Sequence, residues 1–301
     1  MIIYLKNHEI DKKQWDICIR NSPGIKPYAY SWYLDIMAPG WEALVDDEYD
    51  SVFPMPAKKR FGIRYIATPV FLQQLGAFSP DKPPEQALNE FLDYIPDFFR
   101  LIDLCVGQKS GIKGYHITEK TNFELDLSKP YETIYNNFLP YCKRNIETAS
   151  RKKIKLVNDI SPEELLDLFL INKGKMLKGI KQADYQRFSA LMDFCIKNNK
   201  GTIVGSRGSG RNIIFGIFLL ETPGFISPLF VVNTPESRKK MIGYNVINEI
   251  IKNNSSTKTI LDLAGSSIPN IAFFMESFGG KNAPYYRLYR NRLLWPIRIM
   301  K

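Results

Sequence analysis

One arrangement of elements occurs twice in this chain, and that repeat limits the fold more than any other feature. Residues 41–72, "WEALVDDEYDSVFPMPAKKRFGIRYIATPVFL", read as three β-rich runs (41–45, 51–58 and 64–72) joined by the acidic turn 46–50 and the turn "KRFGI". Residues 201–233, "GTIVGSRGSGRNIIFGIFLLETPGFISPLFVVN", repeat the pattern with runs at 202–206, 212–221 and 225–232 and turns "RGSGR" and "TPG". Each meander precedes a helix candidate, 84–99 or 235–252. Next comes an apolar strand, "LIDLCVG" or "TILDLAG", with one aspartate in an Ile/Leu frame, Asp103 or Asp262. Helical stretches also precede each meander. This order predicts an α/β (α+β) protein of two tandem domains, each a mixed, mostly antiparallel sheet flanked by helices. The boundary falls near residues 118–122, giving domains 1–120 and 121–301.

Composition agrees with two self-sufficient cores. The 301 residues are 45% apolar and 24% charged, which needs no disulfide or metal staple. Lys and Arg number 41 against 31 Asp and Glu, a net charge of +10. That excess favours anionic partners, whether nucleic acid, a phosphorylated cofactor or an anionic membrane surface, without choosing among them. The four cysteines show no CxxC spacing and read as reduced thiols. With His8 and His116 as the only histidines, a His-based zinc site or a Ser-His-Asp triad is not expected, and no metal is. The N-terminus carries charges where a signal peptide is apolar. The most apolar run, 213–220, is broken by Glu221, Pro223 and Gly224, far short of the ~20 residues of a spanning helix. The expectation is a cytoplasmic protein without a transmembrane segment.

Several stretches carry candidate chemistry. In "VVNTPESRKKMIGYNVINEIIKNN", Thr234 reads as an N-cap, and Arg238, Lys239 and Lys240 fall in the first turns of the helix. Backbone N–H groups and the helix dipole favour an anion there, and Gly243 admits a bulky ligand, so 233–243 fits a pyrophosphate. A solvated basic patch before an ordinary core helix accounts for the same residues. "GSRGSGRN" lacks the Lys-Ser/Thr of a phosphate loop and lies between two strands, so it reads as a hairpin turn. The run 141–155 has six basic residues and one acid, and helical spacing puts Arg144, Arg151 and Lys155 on one face. Gln73 and Gln74 end the first meander, where they either cap a loop or contact a polar substrate. Tyr28, Tyr30, Trp32 and Tyr33 are either core or a stacking wall for a sugar or peptide.

These pieces together, above all "YCKRNIETASRKK", "TPESRKKMIGYNVINEII" and "LDLAGSSIPNIAFFMESFGG", with "PVFLQQLG" in the first half, resemble the GNAT superfamily of N-acyltransferases. More narrowly they resemble the Fem-type aminoacyltransferases, which carry two GNAT domains. The resemblance implies a degenerate donor site in 1–120 and an acyl-donor site in 121–301. It implies acyl-CoA or aminoacyl-tRNA as donor substrate, with no tightly bound cofactor. Val231, Asn233, Arg238, Lys239, Lys240 and Gly243 would hold the donor. GNAT proteins grip the CoA pyrophosphate through Arg/Gln-x-x-Gly-x-Gly/Ala; here the positions hold Lys240, Gly243 and Asn245, the last in place of a small residue. Fem-type enzymes use aminoacyl-tRNA and do not need that motif intact.

Two parallel strands are implied to splay beside the donor, with 260–263 as one of them. Gly265 would end it without side-chain bulk, Ser266 or Ser267 would cap the next helix, and Gly279 would close that helix in a left-handed conformation. N–H groups around 228–232 would hold the reacting carbonyl. Asp262 or Glu221 would act as base, Asp262 having a structural role as its alternative, and Tyr286 or Tyr285 as acid. Tyr30, Trp32, Gln73, Gln74 and Arg144 are the substrate-binding candidates. The expected activity is acyl or aminoacyl transfer to an amine of a cell-envelope precursor, a peptide or a small metabolite. Two other classes remain: a non-catalytic GNAT-like binding protein with a decayed donor site, and a basic nucleic-acid-binding protein, against which stands the lack of a zinc-finger or helix-turn-helix pattern.

Overall fold

A computed structural model describes residues 1–24, 26–46, 48–152, 154–173, 179–265 and 269–295. The chain divides into two compact units, Met1–Lys120 with the chain from Pro284 on, and Thr121–Ala283. The first contains β1 (Ile2–Leu5), α1 (Lys12–Asn21), α2 (Ser31–Met37), β2 (Glu42–Asp46), β3 (Val52–Met55), β4 (Ala57–Arg60), β5 (Ile63–Ala67), α3 (Pro84–Asp93), β6 (Leu101–Val106) and β7 (His116–Lys120). Its last strand, β15 (Tyr285–Asn291), comes from the far end of the chain. The sheet orders are β1-β2-β3 and β4-β5-β6-β15-β7. Pro56 separates β3 from β4, because a proline cannot donate to the ladder. Trp15, Tyr28, Tyr33, Trp41, Phe53 and Phe91 fill the core, with the Trp15 and Trp41 rings 4.7 Å apart. The β4–β5 hairpin turns through Phe61 at φ 50° and Gly62 at φ 78°. Such a two-residue turn with both φ positive matches the strand twist but favours Asn and Gly.

The second unit runs β8 (Phe123–Asp126), α4 (Tyr131–Asn136), α5 (Pro140–Ser150), β9 (Leu156–Val157), α6 (Pro162–Lys173), α7 (Gln182–Lys197), β10 (Gly201–Arg207), β11 (Ile213–Thr222), β12 (Phe225–Asn233), α8 (Pro235–Lys239), α9 (Ile242–Asn254), β13 (Ile260–Ala264), α10 (Pro269–Glu276) and β14 (Lys281–Asn282). Its sheet order is β14-β8-β13-β12-β11-β10-β9. Strand alternation sorts the side chains to two faces. On one, Phe215, Ile217, Leu219, Ile226, Leu261 and Leu263 join Val246, Ile247 and Ile251 of α9 and Phe138 and Cys142 beside it. On the other, Phe218 and Phe230 meet Phe188 of α7, with ring centroids 6.2 and 5.2 Å from it. Ser161 and Glu164 form a reciprocal cap at the start of α6, Glu164 N–H to Ser161 Oγ at 3.2 Å and Ser161 N–H to Glu164 Oε2 at 2.9 Å.

The two sheets share one connectivity. In the first, β5 pairs parallel with β6, and β15 lies antiparallel between β6 and β7. In the second, β12 pairs parallel with β13, and β8 lies antiparallel between β13 and β14. The expected second domain ran to residue 301. Instead Tyr286 pairs with Val106 and Glu119, so the residues around it complete the first unit's sheet.

Two expectations of helix structure change. The single helix 235–252 is broken at Met241, whose φ of 57° is left-handed, so five-residue α8 ends before α9 begins. Helix α5 stops at Ser150, so Lys155 lies beyond the face that Arg144 occupies. Lys152 reaches across to donate from Nζ to the Lys239 carbonyl at 2.6 Å, at the C-terminal end of α8.

Gly279 is left-handed as expected, at φ 73°. The caps assigned to Ser266 and Ser267 lie outside the described residues. Gly265 has a different role from the one expected. A Cβ there would sit 1.5 Å from the Thr121 carbonyl oxygen and 2.4 Å from its carbon, so the backbone at Thr121 is what requires glycine. Because neither partner is a flexible side chain, Gly265→Ala should destabilise the protein by about 3 kcal/mol or more, read as a lower urea midpoint.

Candidate functional site

The second sheet opens in its middle. β12 and β13 pair at only two positions, Phe225 with Ile260 and Ile226 with Leu261. β12 then continues for seven residues and β13 for three without pairing to each other. Two local features of β12 cause the parting. Ile260 donates its N–H to the Gly224 carbonyl at 3.0 Å, so alternate residues 224, 226 and 228 turn toward β13. Residue 228 is Pro228, which has no N–H to offer. A bulge then shifts the register against β11, where Phe218 faces Phe230 but Leu219 faces Pro228.

Past the bulge, Thr234 donates to the Ile214 carbonyl at 3.3 Å. Alternation therefore gives the amides of Phe230 and Val232 to β11 and turns those of Val231 and Asn233 toward the opening. Val231 is 40% exposed although it lies inside a strand of a seven-stranded sheet.

The first turn of α9 stands at the end of that opening. The amides of Ile242 and Gly243 are the ones that a helix start leaves without an intrahelical acceptor. Gly243 is packed near Asn233: a Cβ there would lie 3.7 Å from Asn233 Nδ2 and 3.7 Å from the Phe274 ring, ordinary contact distances. Thr234 caps α8 through Ser237 N–H at 3.3 Å. The cations occupy the last turn of α8, where its negative end already attracts them. The Arg238 guanidinium donates to the Asn233 carbonyl. Lys240 pairs with Glu236 at 2.7 Å. These two charges are engaged with the protein's own acceptors, and an anion at α9 would have to draw them away.

Of the base candidates, Asp262 is fully buried, and its Oδ1 accepts the Ala264 amide at 2.9 Å. Ala264 is left-handed at φ 61°, so this carboxylate fixes the bend that ends β13. Asp262 thus has the structural role that stood as its alternative. Glu221 lies at the wrong end of the strands. It pairs with Ile226, where β12 and β13 are still joined, roughly 16–23 Å of strand from Val231 and Asn233. Tyr286 belongs to β15 of the first unit, paired with Val106 and Glu119, and is not part of this sheet. One residue escaped the sequence reading. Ser227, the next step after the last parallel pair, is buried, and its Oγ finds no hydrogen-bond partner among the described residues. Its only sequence signal is a polar side chain inside "FISPLFVV".

The substrate candidates fall on both units. Arg144 is exposed on α5, its guanidinium 5.3 Å from the Tyr141 ring. Tyr244, in the first turn of α9, lies 6.0 Å from the same ring, and burial pushes its hydroxyl up to about 12. Tyr30 and Trp32 belong to the first unit and stack at 6.2 Å and 18°. Burial raises the Tyr30 hydroxyl pKa. Tyr28 and Tyr33 beside them are core. Gln74 is buried and donates to Gln73 Oε1 at 3.1 Å.

These glutamines sit in a loop that closes the equivalent gap in the first unit. There β5 and β6 also part, after Ala67 and Asp103, but the space between them is refilled. Cys105 donates its N–H to Thr68 Oγ1 at 2.7 Å, and Leu75 returns to pair with β6 through Cys105 O and Gly107 N, both at 2.9 Å. Among the described residues, no His/Cys/Asp/Glu group could hold a metal ion, and no helix is long and apolar enough to cross a membrane.

No family profile matches this sequence, and no curated protein does. Solved structures do match in fold. FemX is similar over 98% of this chain and 99% of its own, at 12% identity and a TM-score of 0.66. L-PGS from Bacillus licheniformis is similar over 96% and 95%, at 12% identity and 0.56. A conserved protein of unknown function from Bacteroides thetaiotaomicron is similar over 96% and 99%, at 11% identity and 0.60. At such identities the likeness is one of architecture: the chain has the fold of FemX.

Burial raises the pKa of Glu221, whose carboxylate is the disfavoured form in the folded protein. The folded state therefore holds this proton more tightly than the unfolded one. The associated stability is full below the unfolded value and is lost as pH rises through the folded value. Glu221→Gln should accordingly raise the urea midpoint at neutral pH and leave it unchanged near about pH 3, well below the unfolded glutamate value of about 4.3, where the wild-type group is protonated in both states.

Proposed function

We propose that this protein transfers an acyl or aminoacyl group from acyl-CoA or aminoacyl-tRNA to an amine, and that the donor binds in the second unit. The observation that carries this is the parting of β12 and β13 after Ile226, with the first turn of α9 at its end. The opening offers what the reaction asks of the protein. Backbone N–H groups at Val231 and Asn233 are fixed in place to donate hydrogen bonds to the oxygen of a carbonyl becoming tetrahedral. Ile242 and Gly243 present amides to a phosphate, and Lys240, released from Glu236, supplies the cation. Lys239 and Arg238 lie beside them on α8. In the first unit, Thr68 and Leu75 take the corresponding place, which supports assigning the donor to the second unit alone. We also read the shared connectivity of the two sheets as a tandem duplication.

An open groove of about 800 Å³ runs from the outer face of α6, at Asp167 and Ile171, to Thr234 and Glu236. Arg207 and Arg211 line it too, Arg207 lying 3.7 Å from Glu164, and Asp167 suits an ammonium-bearing acceptor, such as a peptide, a small metabolite or a cell-envelope precursor, arriving beside the donor. The neutral amine nitrogen would then bond to the carbonyl carbon as the carbonyl's C–S or ester C–O bond breaks, and the proton lost by nitrogen would pass to the leaving CoA sulfur or tRNA ribose oxygen.

Ligand binding to the folded state alone stabilises it, by about 2.7 kcal/mol at a hundred times Kd. Acetyl-CoA or an aminoacyl-tRNA should therefore raise the Tm. Gly243→Ala should leave the ligand-free Tm unchanged, since its Cβ meets nothing closer than 3.7 Å, yet remove most of the ligand-induced rise. Lys240→Ala should weaken binding by roughly 10–100-fold, the worth of one charge-assisted hydrogen bond. No rise with any acyl donor would sink the transferase reading in favour of a decayed binding site. Equal affinity for random duplex DNA, steeply dependent on salt, would favour the nucleic-acid reading.

A further inference from the structure

The first unit carries an exposed aromatic and aliphatic patch ringed by cations, far along the sequence from the residues assigned to acyl transfer. Phe61, at the tip of the β4–β5 hairpin, is 89% exposed. Leu294 and Trp295, just past β15, are 68% and 78% exposed, and Phe98 is 45% exposed. Phe98 and Leu294 meet in one cavity of about 540 Å³, lined also by Gly62, Ile63, Arg64, Asp97 and Arg100, and Phe61 and Trp295 are the chain neighbours of Gly62 and Leu294. Large apolar side chains grouped at a surface mark a contact with something other than water.

Phe61 is also placed against local preference. Both turn residues are left-handed, at φ 50° and 78°, where Asn and Gly fit and a bulky ring is strained. The ring gains nothing from the protein core in return.

The surround is basic. Lys58, Lys59 and Arg60 are exposed along β4, and the Arg60 guanidinium sits 5.1 Å from the Phe61 ring. Arg64 lies on Phe98 and Phe99 at 4.5 and 4.8 Å, held by Glu42. Arg100 and Arg292 complete the rim, Arg292 paired with Asp97 at 3.3 Å. Six cations thus surround the patch against two carboxylates. A second cavity of about 340 Å³, lined by Lys58, Lys59, Arg64, Ala57 and Glu42, adjoins the hairpin and has the chemistry of a phosphate diester site.

We propose that this face, the β4–β5 hairpin tip with Leu294 and Trp295, docks onto the surface of an anionic lipid bilayer. Phe61, Leu294 and Trp295 enter the interfacial layer, where such side chains are favoured. Lys58, Lys59, Arg60 and Arg100 meet lipid phosphates, which adds attraction that falls with salt. Lipid fits better than a nucleic acid. Leu294 has no π face on which a base stacks, and Phe61 projects from a tip instead of lining a groove. The docking is independent of the acyl-transfer reading.

The test uses the full chain and sedimentation with vesicles of phosphatidylcholine alone or mixed with phosphatidylglycerol. The protein should sediment with the mixed vesicles at low salt, much less at high salt, and little with phosphatidylcholine alone. Phe61→Asn, which suits the turn and so keeps the Tm, should lower the partition coefficient roughly tenfold. Lys58→Glu with Lys59→Glu should lower it at least as far. Trp295 should move to shorter emission wavelength on binding, a change lost in Trp295→Phe, which keeps the buried Trp15 and Trp41 and the half-buried Trp32 as internal controls. The proposal fails if the wild type ignores the mixed vesicles. It fails too if Phe61→Asn partitions like the wild type, or if an RNA oligonucleotide displaces the vesicles at equal phosphate concentration.

Discussion

A missing hydrogen-bond donor organises the second unit. Two parallel strands in the middle of a sheet normally stay paired, because each unpaired backbone group there costs free energy. At Pro228 the ladder toward β13 loses its next donor, and the bulge at once turns the remaining strand away. The rest of the opening depends on that parting. Val231 and Asn233 keep amides on an open edge, and the chain leaving the strand passes through α8 and starts α9 with Gly243 beside Asn233. Asp262 fastens the end of β13 through the Ala264 amide, so the opposite wall of the opening is fixed as well.

The first unit has the same connectivity and shows what the opening would otherwise be. Its strands also part, yet Thr68 and the return of Leu75 give the exposed amides internal partners. Its next helix begins at Pro83, Pro84 and Glu85 with no cation in its first turn. Satisfied backbone groups hold a fold together and bind nothing. Unsatisfied ones at an edge, next to a helix start, are available to a ligand. One architecture therefore serves as scaffold in one unit and as candidate site in the other.

Much of this was legible in the sequence because it depends on short-range chemistry. Alternating apolar runs between turn residues located the strands of the second meander to within a residue or two, whereas the run 51–58 is split by Pro56 between two sheets. Features set by backbone conformation at one residue were not legible. Nothing in "RKKMIGYN" signals that Met241 is left-handed, so two helices read as one. Gly265 looked like a strand end cleared for a ligand, whereas it clears the backbone of Thr121. Glu221 stands out by nearness in sequence, and Tyr286 by the place where the resemblance puts an acid. Strand register carried Glu221 to the closed end of β12 and Tyr286 into the other sheet.

The sequence by itself determined the element types, their repeated order and the +10 charge, because periodicity, turn residues and ionisation act over a few neighbouring residues. Only the tertiary structure decided which strand lies beside which. It thereby decided which amides are left without partners and which cations are already held by carboxylates or carbonyls. Strand order rests on pairings between residues distant in the chain, as with Asp103 and Arg287, which lie 184 positions apart, and no local pattern encodes such a pairing.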